Sequence, residues 1–159
     1  MFFSERVLLG IVWGSCFISI WFIPKEKRAV ASFVFLITQS LTWIAGLIVV
    51  EFNWIEYPVR ELAKASSTSF SFEYFILPLL TVFFVLYYPD NKKLIRKIIH
   101  FATFSSALTL IEVLVEKFTL LITYHSWTWY WTWLSVPALF YLVMCIYRWF
   151  FKIKGIFSI

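Results

Sequence analysis

The stretch AVASFVFLITQSLTWIAGLIVV, Ala29–Val50, runs for 22 residues without a charged side chain. A bilayer's hydrocarbon core asks for roughly 20 apolar residues in a helix, the one local conformation that satisfies its own backbone amides where no water can. The segment therefore predicts a membrane span. Outward from it, four more apolar stretches lie near residues 7–23, 72–88, 95–116 and 129–151, about five spans with short connections. Across the 159 residues 62% are hydrophobic and 14% charged, too little polar surface to cover a water-soluble globule of this size. The expected fold is all-α, a polytopic transmembrane helical bundle that forms one domain over residues 1–159.

Proline and charge mark the ends of the spans. Pro24 and the following KEKR stop the first, and Pro89 closes the third before DNKKLIRK. The first run looks like an export signal, but Glu5 and Arg6 cancel and leave no positive leader, so it is expected to stay as a span. Between the second and third spans, EFNWIEYPVRELAKASSTSFSFE is too polar to cross lipid. It predicts a short interfacial helix starting at Pro58.

Lysine and arginine set the orientation, because they accumulate on the cytoplasmic face. Lys25, Lys27, Arg28, Lys92, Lys93, Arg96, Lys97, Arg148, Lys152 and Lys154 fall on one side, ten in all, against four (Arg6, Arg60, Lys64 and Lys117) on the other. The N-terminus is expected outside and the C-terminus in the cytoplasm. The net charge of +5 thus reads as a topology signal and implies no nucleic-acid partner. Cys16 and Cys145 lie inside apolar runs and read as small buried hydrophobes. No cysteine or histidine spacing suggests a metal site, and no cofactor motif is present; His100 and His125 lie at opposite ends of the fourth span.

Polar residues inside the spans are the candidates for function. In the second span Ser32, Gln39 and Gly46 recur every seven residues with Thr42 alongside, and an amide as central as Gln39 must hydrogen bond to another helix. Gly10 and Gly14 form a GxxxG, a face that admits a second backbone. Ala102, Ser105, Thr109, Glu112 and Glu116 share one face of the fourth span. A carboxylate like that of Glu112 costs about 2.5–3.5 kcal/mol at mid-bilayer, so it must protonate, pair or face water. Arg60 is the expected partner, with Lys64 or Lys117 as substitutes. Glu73 opens the third span, where the helix dipole favours an anion. Pro78 and Pro137 free carbonyls one turn earlier, at Tyr74 and Trp133.

These groups converge on the outer end, where TYHSWTWYWTW (residues 123–133) crowds Trp and Tyr rings at the water boundary. On a single helix Trp127 and Trp131 share one face and Trp129 and Trp133 nearly the opposite one, so either two of the four pack inward, the expected arrangement, or the stretch is partly extended and all four point the same way. Two readings stand for Glu112. It is the innermost acid of a polar cavity open to the outside, or it makes a structural Glu-Arg or Glu-Tyr pair.

The segment IEVLVEKFTLLITYHSWTWYW resembles a family of small, uncharacterised multi-span membrane proteins of spore-forming Bacillus-type and Clostridium-type bacteria, in which an Ile-Glu in the fourth span is followed by Ile-x-Tyr and a Trp-rich start to the fifth. Ile111-Glu112, Ile122-x-Tyr124 and Trp127 match that pattern. FSFEYFILPLLTVFFVLYYP is similar to the family's third span, so the resemblance covers about half the chain. It implies a multi-pass protein of a bacterial cytoplasmic membrane and brings no substrate with it.

Three functions are compatible with these residues. The first is a non-catalytic subunit or accessory that packs on other membrane proteins, or on itself, through the Gly10–Gly14 and Gln39–Gly46 faces. The second is a small proton, cation or solute transporter or channel built on Glu112, with Glu116, Arg60, Glu73, Tyr124, Trp127 and Thr109 around it. The third, a lipid-modifying enzyme, lacks a nucleophile, a metal set and a phosphate loop.

Overall fold

A computed structural model describes residues 3–153, and Lys154 of the orientation count lies outside them. The chain is mainly helical: α1 (Phe3–Ile20), α2 (Arg28–Glu51), α3 (Leu77–Leu86), α4 (Leu94–Phe118) and α5 (Trp129–Phe150). A 3₁₀ turn (Lys25–Lys27) precedes α2 and a π-turn (Phe72–Ile76) precedes α3. Three of the helices, those ending at Glu51, Phe118 and Phe150, are long and apolar enough to cross a membrane. The apolar helix Phe72–Leu86 is shorter, and α1 has 18 residues.

Each boundary has a local cause. Pro24, at φ −56° and ψ 140°, ends the first helical run and leads into the 3₁₀ turn. At the far end of α2, Asn53 takes a left-handed φ of 54°. Its N–H bonds Val50 O at 2.9 Å, and the Trp54 N–H reaches Val49 O at 3.0 Å. That pairing closes the helix and turns the chain sideways. Pro78 has no N–H to give Tyr74, and the widened π-turn sits just before it. The carbonyls that would be orphaned there are satisfied from α2: Gln39 Nε2 donates to Tyr74 O at 3.2 Å, and Thr42 Oγ1 donates to Glu73 O at 2.7 Å. Gln39 therefore bonds across to another helix, within this chain.

The two ends of the bundle are tied differently. At one end Lys27 Nζ reaches Leu86 O at 3.4 Å, and Arg148, only 6% exposed, pairs with Asp90 and lies 5.6 Å over the Tyr88 ring. This brings the basic segments around residues 25–28, 92–97 and 148 to a common end. Inside it lies the aromatic core, with Phe84 stacked on Phe140 at 4.3 Å and flanked by Phe101 and Phe104. At the opposite end two loops pair as a short antiparallel ladder, β1 (Ile55–Glu56) with β2 (Thr123–Tyr124), in the register Ile55↔Tyr124 and Glu56↔Thr123.

Two expectations need correction. The loop after Pro58 forms turns, not an interfacial helix. Arg60 captures the Tyr57 and Ser66 carbonyls at 2.7 and 2.9 Å, Leu62 sits at φ 52°, and Glu61 accepts from the Ser71 hydroxyl. Side chains have taken the backbone groups a helix would use, and a left-handed leucine breaks the helical run. Gly10 and Gly14, by contrast, keep an open face, because a Cβ at either would meet nothing within 4 Å and no described part of this chain packs there. The four tryptophans do not share a helix, since Trp127 precedes the extended N-cap Thr128. Trp129, Trp131 and Trp133 are all exposed, and only Trp127 turns inward.

Candidate functional site

A cavity of about 160 Å³ lies at the ladder end, between α2, the π-turn, α4 and α5. Two carboxylates from different helices line it: Glu73 of the π-turn and Glu112 of α4, 5% and 7% exposed. The helical spacing that sets Glu112 on the polar face of α4 aims it at α5. There Thr132 Oγ1 donates to Glu112 Oε1 at 2.8 Å, and the Tyr124 hydroxyl donates to the same oxygen. Trp127 Nε1 in turn donates to Thr132 Oγ1 at 2.8 Å, completing a chain of donors that ends on the carboxylate. Among the described residues, nothing hydrogen bonds to Glu112 Oε2.

Glu73 has a looser setting. Tyr57 OH donates to its Oε1 at 3.4 Å, and among the described residues its Oε2 accepts no bond. Gly46 makes room for it, because a Cβ there would lie 2.5 Å from the carboxyl carbon and from Oε1. The glycine of the second-span stripe is thus a socket for an acid. Val49, Ile55, Leu77, Val136 and Leu139 make most of the remaining wall apolar, and among the described residues no Lys, Arg or His lines the cavity.

The ladder places the two phenols. Ile55, Tyr57 and Ile122 form a small buried cluster with Trp127 and Tyr124 packed against it. The Trp54 carbonyl accepts from the N–H groups of His125 and Trp127 at 3.0 and 3.2 Å, while the Trp54 ring stacks on Trp127 with centroids 6.0 Å apart. Outside, His125 Nε2 lies 3.0 Å from Glu56 Oε2. Burial pushes the Tyr57 phenol well above its ordinary pKa, and the charges of Glu73 and Glu112 add to the rise. Burial likewise raises Tyr124, helped by the charge of Glu112. Both phenols hold their protons and serve as donors to the acids.

Glu73, Glu112 and Trp127 come together on the cavity, and Tyr124 stands behind Glu112. Arg60 does not reach the acids, because its guanidinium is spent on the two loop carbonyls; this corrects its expected pairing with Glu112. Thr109 is buried one turn below Glu112, off the cavity, and its hydroxyl has no partner among the described residues. Glu116 is half-buried and also off it. The carbonyls of Tyr74 and Trp133 do not open into it, Tyr74 being held by Gln39. Tyr57 and Thr132 were not anticipated. Thr132 carried a weak signal, as a hydroxyl one turn into a Trp-rich span, whereas nothing in the spacing connects Tyr57 to Glu73. Compared with known proteins, the chain matches no family model, no curated protein and no solved structure.

Proposed function

We propose that the chain is a five-span protein of a bacterial cytoplasmic membrane, N-terminus outside, that binds a proton or a small cation between Glu73 and Glu112 and moves it through the outer half of the bundle. One observation carries this reading: two buried carboxylates line one cavity, each with an oxygen left unbonded and no basic side chain among the lining residues. Two anions in a low-dielectric site cannot stay unneutralised, so protons or a cation must enter to balance them. Hydroxyl donors steady the acids without cancelling their charge, which keeps them available to a mobile cation.

Flux in proteoliposomes tests it, with an internal pH dye and a cation-sensitive dye read in parallel. Wild-type chain is expected to carry flux, and Glu112→Gln and Glu73→Gln to lose at least about tenfold of it, the effect of about 1.4 kcal/mol at the binding site. Folded wild-type protein that carries none sinks the proposal. The subunit reading keeps one specific support, the open Gly10–Gly14 face of α1, and recovery of a stoichiometric membrane partner with the native chain would favour it.

A further inference from the structure

A groove of about 710 Å³ runs between α1, α2 and α3 at the basic end of the bundle. It exists because α1 leans on the rest mainly through its middle, where Trp13 stacks on Phe75 at 4.6 Å and donates from Nε1 to Ser71 Oγ at 2.6 Å. Below that clamp the helices part. Arg28 and Trp21 line the groove beside Pro24 and the polar 3₁₀ turn, Ser32, Leu36 and Leu79 line its walls, and Phe75 caps its far end. From Arg28 to Leu36 the α2 wall rises about 12 Å at 1.5 Å per residue.

The groove has the gradient of a lipid molecule, with a cation at headgroup level and apolar walls leading toward mid-bilayer. Arg28 makes no ion pair among the described residues. Lys25, Glu26 and Lys27 beside it leave the 25–28 segment with a net charge of +2. Trp21, 87% exposed, offers a ring and an N–H at the same level, the usual place of an interfacial tryptophan. A second helix would fill the apolar part but leave the arginine without a counter-charge, whereas a phosphate satisfies it through the fork geometry arginine presents.

We propose that this groove is a binding site for one anionic phospholipid, its phosphate on Arg28 and one acyl chain laid along α2 and α3 up to Phe75. The site lies at the opposite end from the acid cavity and does not depend on what Glu73 and Glu112 bind.

Native mass spectrometry of the full chain, purified in mild detergent with equal amounts of phosphatidylglycerol and phosphatidylcholine of matched chains, tests the assignment. Wild type is expected to retain one phosphatidylglycerol, at least about fivefold over phosphatidylcholine, the preference one interfacial arginine supplies. Arg28→Gln should abolish the preference and Arg28→Lys keep part of it. Ser32→Trp should exclude both lipids by filling the groove, with Leu36→Trp in its place if that variant does not fold. Arg96→Gln removes the same charge from the same end away from the groove and should change nothing. Equal retention of the two lipids by wild type overturns the proposal. So does an Arg96→Gln loss as large as that of Arg28→Gln, which would mean diffuse surface charge, or a lipid-free dimer, which would mean a second copy occupies the groove.

Discussion

The two ends of this bundle answer the same problem, polar groups inside an apolar scaffold, in opposite ways. In the interior of the basic end the buried charge is cancelled locally: Arg148 is paired with Asp90 and set over Tyr88, and Phe84 and Phe140 stack behind it. At the ladder end two acids are buried with hydroxyl donors around a cavity that no cationic side chain lines among the described residues. Around Arg148 the close-packed rings leave no room for a ligand and the neutralised charge has no call for one, unlike the groove on the flank of the same end beside Arg28. The difference teaches where binding can occur, since an uncompensated charge beside empty space is the combination that a mobile cation relieves.

If the basic end is the structural one, Phe84→Ala should cost the most stability, about 3–5 kcal/mol for a buried ring, seen as a lower unfolding midpoint in detergent. A loss below about 1 kcal/mol would break the contrast. At the ladder end Tyr124→Phe removes one of the two donors to Glu112 Oε1 and should cost about 1.5 kcal/mol; it should also alter cation or proton uptake, a readout that Phe84→Ala leaves alone in the protein that stays folded. Trp127→Phe takes away the donor to Thr132 while keeping most of the ring, for an expected loss of about 0.6 kcal/mol, typical of such bonds within membrane proteins.

The smallest effect is a pH slope. Because the folded state holds the Tyr57 phenol well above its ordinary pKa, the unfolded chain releases that proton first. The contribution of Tyr57 is intact below about pH 10, the ordinary phenol value, and fades as pH rises above it toward the folded value. Tyr57→Phe should flatten the alkaline decline in stability relative to wild type. Equal slopes would place Tyr57 in water and open the loop that packs it over Glu73.

Much of the acid site was legible because helical periodicity is short-ranged. Glu112 stands alone in an apolar run, and the three-and-four spacing that sets it on one face with Thr109 needs no tertiary information. The Gln39 amide and the carbonyl freed by Pro78 were each readable as unmet hydrogen-bonding needs, but that they meet each other depends on how α2 and α3 are aligned. Arg60 misled for the opposite reason. Its charge suggested a partner for an acid, yet the nearby carbonyls of its own loop reach it at less entropic cost than a carboxylate on a distant helix.

By itself the sequence determined the solvent and the segmentation of the chain, because uncharged runs of membrane length and prolines at their ends act within a few residues. Only the tertiary structure decided that Gly46 is a socket for Glu73, that a two-residue ladder carries Tyr57 and Tyr124 over the acids, and that Glu73 and Glu112 share one cavity. Those contacts join residues far apart in the chain, and no local preference encodes which helix faces meet. The packing of all the spans at once selects them.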